Sequence, residues 1–157
     1  MTANHRIVVG VDGSEGSRRA LTWAVREAAV RSGTVQAVTA WRWDGVDMPP
    51  HAATHPEQER EHARQILARE IEEIPESIRV GVTIAAEVVE GRAAEVLTTA
   101  AKDANLLVLG SHGHSRVWHT VLGSVSEECV RKSTCPVVVL PVTEASTPTA
   151  TAEPAVR

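Results

Sequence analysis

"NLLVLGSHGHSRVWHTVLGSVSEECVRKS", residues 105–133, decides how this chain folds. Asn105 turns the chain into a short apolar run, Leu106 to Leu109, of the kind that forms a strand buried on both faces. The run ends at Gly110, and permissive and polar sequence follows: Gly113, Gly123, Ser124 and the histidines His112, His114 and His119. The pattern "VSEECVRKS" then predicts a helix over about 123–133. A glycine-rich loop between a buried strand and a helix start fits a phosphate cradle, a metal site, a catalytic turn or an ordinary connection.

Outward from this stretch the same alternation repeats. "RIVVGV" (6–11) predicts a first strand ending at Asp12-Gly13, and Ser14 can cap a helix over 15–32 with Glu15 favourable in its first turn and Gly33 as its stop. "TVQAVTAW" (34–41) predicts the second strand, and 42–55 a loop with no periodicity. Pro56 opens a helix with the stripe Ala63, Ile66, Leu67, Ile71 and Ile74, which Pro75 ends. A third strand is predicted over 79–89, closed by Gly91, and a further helix carries Ala93, Val96, Leu97, Ala100 and Ala101 at helical spacing. "PVVVLPV" (136–142) is the last strand. Five strands alternating with four helices predict an α/β domain with a mostly parallel sheet and right-handed crossovers. Ligands of such sheets sit beyond the carboxyl ends of the strands. The domain is expected to span 1–142, and the Thr-, Ala- and Pro-rich stretch 143–157 to be a disordered tail.

Composition narrows the function classes. The chain has 157 residues, 43% hydrophobic and 23% charged, with a net charge of -4. Only Trp23, Trp41, Trp43 and Trp118 are aromatic, so a stacking platform for single-stranded nucleic acid is not expected. The acidic balance argues against general nucleic-acid binding. No apolar stretch reaches the roughly 18 residues of a membrane span, and the amino terminus lacks the pattern of a signal peptide. Cys129 and Cys135 make no disulfide framework and read as reduced thiols of a cytoplasmic protein.

The spacing Gly110-x2-Gly113-x9-Gly123-Ser124 places two glycines at a strand end and a Gly-Ser pair at a helix start. Unpaired N–H groups at a helix amino terminus favour an anion, and glycines admit a close backbone approach. Ser124 can cap the helix or donate to a phosphate, Ser126 adds a hydroxyl, and Arg116 lies between. A capped helix behind a glycine turn, with no ligand, remains the alternative. A P-loop is absent, and Gly10, Gly13 and Gly16 have the wrong spacing for a dinucleotide fingerprint. Asp12 would repel a pyrophosphate but could accept from a ribose hydroxyl or an adenine amino group; otherwise it is a turn residue. The three histidines offer weak grounds for zinc, which wants supported ligands. The His-Gly-His spacing and position do not fit the His-x-Gly-His motif of nucleotidyltransferases. No nucleophile elbow surrounds Ser124.

"IVVGVDGSEGSRRALTWAVREA", "VVEGRAAEVLTTAAKDANLLVLGSHGHS" and "LGSVSEECVRKSTCPVVVLPV" together resemble the universal stress protein family over residues 5–142. The glycine spacing resembles its ATP-binding branch. The resemblance implies a single open five-stranded parallel sheet of order 3-2-1-4-5, with helices on both faces, of the adenine nucleotide alpha hydrolase-like kind. It implies ATP with Mg2+ as ligand: Val11 and Asp12 on the adenine and ribose side, Ala40 and Val88 near the base, and Gly110 and Gly113 near ribose and phosphates with His112 and His114 flanking. Gly123, Ser124, Val125 and Ser126 would then donate to phosphates. The residues themselves point to no metal site built by protein side chains and no catalytic residue. The function implied is a nucleotide-responsive stress or signalling module. A small hydrolase with slow ATPase activity and a cyclic AMP-binding relative are the alternatives. The final strand would be an apolar sheet edge. The simplest cover for Val137, Val138, Val139, Leu140 and Val142 is the same strand of a second chain, giving a homodimer; a tail folded over that edge is the other arrangement.

Overall fold

The computed structural model describes residues 4–44, 54–114 and 122–141. In chain order the elements are β1 (Arg6–Gly10), α1 (Glu15–Val30), β2 (Thr34–Trp41), α2 (Pro56–Glu72), α3 (Glu76–Arg79), β3 (Thr83–Glu90), α4 (Ala93–Ala100), β4 (Leu106–Gly110), α5 (Ser124–Lys132) and β5 (Val137–Leu140). All five strands are parallel and pair in the order β3-β2-β1-β4-β5. The short apolar runs, too uniform for one-sided burial, are the central strands: Ile7, Val8 and Val9 of β1 and Leu107, Val108 and Leu109 of β4 are buried.

Strand alternation divides the core between two faces. Ile7, Val9, Val35 and Val108 pack with Leu21 and Val25 of α1 and Leu67 of α2. Val8, Val38, Leu107 and Leu109 pack with Leu97 of α4 and Cys129 of α5. Burial pushes the Cys129 thiol up to about 11, with the neighbouring Glu128 adding to the shift, so at neutral pH it is an apolar filler. Both cysteines are free.

Three local expectations change. The stop of α1 is at Val30: Ser32, with φ 52, takes the left-handed position. Gly33 serves a different need, because a Cβ there would stand 2.2 Å from the His5 carbonyl oxygen. The third strand starts at Thr83 instead of 79, because Pro75 opens the one-turn helix α3 and Gly81 turns with φ +80. The stripe of α2 also includes a charge. Glu70 is fully buried, with Arg18 Nε and Nη2 donating to its Oε2 and Oε1 at 2.8 and 3.1 Å. Arg18 is held above its ordinary pKa by that hydrogen bond and the charge of Glu70.

Candidate functional site

A cavity of about 260 Å³ opens at the carboxyl ends of β1, β2 and β4. Its floor is apolar and belongs to the α4/α5 face of the sheet: Val38, Ala40, Leu97 and Leu109. Of these, only Ala40 was expected as a site residue. The others follow from register, since Gly10 pairs with Val38, and a Cβ on Gly10 would press on Leu97 and Leu109.

At one side stands the turn after β1. Asp12 Oδ1 accepts from the Ser14 N–H at 2.9 Å, and Ser14 Oγ accepts from the Ser17 N–H at 3.2 Å, capping α1. The Ser17 hydroxyl accepts from the Asp12 N–H and donates to the Ser14 carbonyl. Gly13 makes the turn possible with φ +79. Asp12 is exposed and lines the cavity, and Ser14 and Ser17 line it behind.

Both backbone groups of Val11 are already engaged within the protein. Its N–H donates to the Val38 carbonyl at 2.9 Å, and its carbonyl accepts from Thr39 Oγ1 at 2.8 Å. The β1–β2 ladder therefore ends at the pair Gly10–Val38. The Val38 carbonyl points toward β1 and the Trp41 carbonyl toward β3, where it accepts from the Gly91 N–H. Alternation then aims the Ala40 N–H and carbonyl at the space where β1 has stopped. The family resemblance named Ala40; what it could not supply is that the Thr39 hydroxyl donates to the Val11 carbonyl.

Across the floor stands the start of α5. Its N-cap is Gly123, with no side-chain cap, so Ser124 is the first helical residue, and of the two roles open to it in the sequence it does not take that of the cap. The first intrahelical bond runs from the Glu127 N–H to the Gly123 carbonyl, which leaves the N–H groups of Ser124, Val125 and Ser126 ahead of the ladder. All three residues line the cavity, as do Gly123 and Ala93, the first residue of α4. The Ser124 hydroxyl is exposed. The Ser126 hydroxyl is committed elsewhere: it donates to the Gly110 carbonyl at 2.7 Å and reaches the Ser111 carbonyl at 3.2 Å, fastening α5 to the end of β4. The Gly123 N–H donates to the Ser111 carbonyl.

The glycines divide by role. A Cβ on Gly110 would stand 2.7 Å from the Gly16 carbonyl carbon, and one on Gly16 would stand 2.8 Å from the His112 carbonyl oxygen. Gly110 and Gly16 thus let the first turn of α1 touch the end of β4. A Cβ on Gly113 would stand 2.7 Å from Asp12 Oδ2, so the two loops meet there. His114 Nε2 donates to the Asp12 carbonyl at 2.6 Å, a second tie between them. His112 Nδ1 lies 3.1 Å from Ser111 Oγ. Val88 does not line the cavity: it faces the α1/α2 side, and the residue paired with Ala40 on β3 is Val89. Arg116, His119 and Val142 lie outside the described residues.

The Universal stress protein family model matches residues 3–141. The chain belongs to the universal stress protein family. A universal stress protein of Mycobacterium tuberculosis is 31% identical over 140 residues, which cover 87% of this chain and 48% of that protein. The chain spans about half the length of the curated relatives it matches. Among solved structures, the universal stress protein UspA from Lactobacillus plantarum superposes with a TM-score of 0.70 at 21% identity, covering 88% of this chain and 99% of that one. A universal stress protein in complex with cAMP gives 0.67 at 24%, covering 88% and 98%. One from Archaeoglobus fulgidus in complex with dAMP gives 0.63 at 23%, covering 88% and 98%. These likenesses share the universal stress protein fold.

Proposed function

We propose that this universal stress protein binds an adenine nucleotide, ATP with Mg2+, in the cavity and acts in the cytoplasm as a nucleotide-responsive stress or signalling module. The observation that carries the reading is the meeting of two backbone sets in one cavity: the Ala40 peptide, which strand alternation aims past the end of β1, over an apolar floor, and the first turn of α5, whose N–H groups precede the helix ladder. The Ala40 N–H and carbonyl match the acceptor N1 and donor N6 of adenine, and they mismatch guanine, whose N1 donates and whose O6 accepts. Val38, Leu97 and Leu109 would cover the base. Asp12 would accept from the ribose. The N–H groups of Ser124, Val125 and Ser126, with the Ser124 hydroxyl, would donate to phosphates at the positive end of α5. Val11 supports the base side only as packing, and Val88 has no role in this reading.

Neither Lys nor Arg is among the described lining residues, so backbone dipoles supply most of the attraction for phosphate. Among the described residues no group of three or more His, Cys, Asp or Glu stands together, and Mg2+ would enter on the phosphates. Among the described lining residues the titratable side chains are Asp12, His112 and His114, and this reading assigns none of them to turnover. The cAMP and dAMP complexes of the structural neighbours support an adenine ligand and keep a cyclic monophosphate as the second reading. Titration calorimetry with ATP, AMP, cAMP and GTP is the test. ATP should bind with GTP at least about 10-fold weaker; equal affinity for GTP overturns the Ala40 assignment. Tighter binding of cAMP selects the second reading.

The homodimer belongs to the same proposal. All four residues of β5 are half-buried, and β5 is an edge strand. Pairing with a second β5 would cover it. Light scattering should give a dimer that Val138→Asp and Leu140→Asp dissociate, while a chain ending at Val142 stays dimeric; a monomeric parent sinks the arrangement.

A further inference from the structure

The cavity explains Asp12 and Ser14 but leaves Glu70 unexplained. Its side chain has 0% exposure, and a charge buried so completely is costly unless it is paired. Its partners come from outside the core: Arg18 on α1 is 46% exposed and Arg69 on α2 is 59% exposed, with Arg69 Nη2 3.6 Å from Oε1. Arg18 also lies 3.5 Å from Glu73 Oε2. An apolar residue would fill the same space at lower cost, so the pair has the character of a register device, one that fixes how α2 sits on α1.

The register matters because of what lies one helical turn before Glu70. Ile66 rests on the turn after β1: a Cβ on Gly13 would stand 3.0 Å from Ile66 Cγ2. Ile66 does not line the cavity, whereas Asp12 and Ser14, on either side of Gly13, do. Arg18 follows Ser17 directly, and Ser17 holds that turn through its hydrogen bonds to Asp12 and Ser14. The buried pair therefore grips the turn from two sides, through Arg18 along α1 and through Ile66 along α2.

We propose that Glu70 is a positioning residue, clamped by Arg18, that holds Ile66 against Gly13 and so sets the Asp12–Ser14 turn for the ligand. The claim rests on the adenine-nucleotide reading for its effect on affinity, and on the fold alone for its effect on the turn. The test uses the full chain with Glu70→Leu, Glu70→Gln, Ile66→Ala and the double substitution Glu70→Leu/Ile66→Ala. Amide hydrogen exchange in the ligand-free protein reads the turn directly, because the Ser14 and Ser17 N–H groups are bound within it. Exchange at both should rise in each single variant, and ATP and AMP affinity should fall by about 3- to 30-fold, the range for residues that act on a site without touching it. The double variant should be no worse than the worse single, since both changes release one support. Melting temperature should not track the affinity loss, and Glu70→Gln should recover part of it by keeping one acceptor for Arg18. Parent-like exchange at Ser14 and Ser17 in folded Glu70→Leu, or in Ile66→Ala if the former does not fold, overturns the proposal; so do strictly additive losses. If the parent binds no nucleotide, the functional reading fails while the exchange data still decide the positioning role.

Discussion

The starts of α1 and α5 occupy equivalent places, each following one of two adjacent parallel strands at the carboxyl edge of the sheet. They are finished in opposite ways. The start of α1 is closed by its own side chains: Ser14 Oγ takes the Ser17 N–H, and Asp12 Oδ1 takes the Ser14 N–H. The start of α5 has glycine at its N-cap and no side-chain acceptor. A serine or aspartate cap is worth about 1 kcal/mol over alanine, so the glycine gives up little stability and leaves three N–H groups toward the cavity. The difference teaches that a helix start becomes a binding element through what is withheld from it. Asp12 faces the same cavity, but its charge and turn bonds suit a neutral hydroxyl or amine, so in the proposed complex the two starts would divide the ligand between them.

The largest effect should come from closing the open start. In Gly123→Val the Cβ meets the Ser111 carbonyl oxygen at 3.1 Å, a contact relieved by a few tenths of an ångström, and φ -71 suits any residue. The protein should fold, while the branched side chain shields the first turn of α5. ATP affinity should drop by about 2–4 kcal/mol, the scale of losing a charge-assisted set of donors, with AMP affected less. Calorimetry that finds parent affinity in a folded Gly123→Val rules out α5 as the phosphate end.

The next effect attacks the closed start. Asp12→Ala should weaken ATP and AMP alike by about 1–3 kcal/mol, because a ribose contact is common to both. Gly113→Ala should resemble it, since its Cβ would push Asp12 Oδ2 from 2.7 Å. The two substitutions should be less than additive when combined. A loss confined to triphosphate would move Asp12 to the phosphate side and erase the division of labour.

A third measurement separates folding from binding. Ser14→Ala removes the cap of α1 and should lower stability by about 1 kcal/mol in denaturant titration. Ser126→Ala removes a buried hydroxyl that serves two carbonyls and should cost about 1–3 kcal/mol. Neither residue presents its hydroxyl to the ligand, so affinity should change less than for Asp12→Ala. A Ser126→Ala variant as stable as the parent but blind to ATP would restore that hydroxyl as a phosphate donor.

How much of this was legible in the sequence follows from which interactions are local. Strands β2 and β4 stood in the apolar runs and the turn residues, because strand formation and capping are read over a few residues; the sheet order came from the family likeness alone. Asp12 and the start of α5 drew notice as a strand end and a helix start, whereas Ala40 was named only by the family likeness; all of them line the cavity. What escaped depended on distant partners. Gly110 lines the cavity, but the sequence gives no sign that Gly16 also stands against it and leaves no room for a Cβ. Ser126 looks like a donor until the Gly110 carbonyl takes its proton. Val88 and Val89 differ by one step of strand alternation, which only the pairing to Ala40 resolves. Glu70, placed on the buried stripe of α2, gives no sign of Arg18 52 positions earlier.

The smallest effect is the sharpest probe of the comparison. Ser124 is the first residue of α5, exposed, with a hydroxyl that neither caps the helix nor bonds within the described residues. Ser124→Ala therefore leaves the backbone donors of the first turn in place and removes one side-chain donor. Stability should stay within about 0.5 kcal/mol of the parent, as for surface substitutions. If backbone N–H groups and the helix dipole carry most of the phosphate binding, ATP affinity should fall by only about 0.5–1.5 kcal/mol, one neutral hydrogen bond. A larger loss, approaching that of Gly123→Val, would mean that the hydroxyl and not the open helix start holds the phosphates, and the contrast with α1 would then be one of side chains alone.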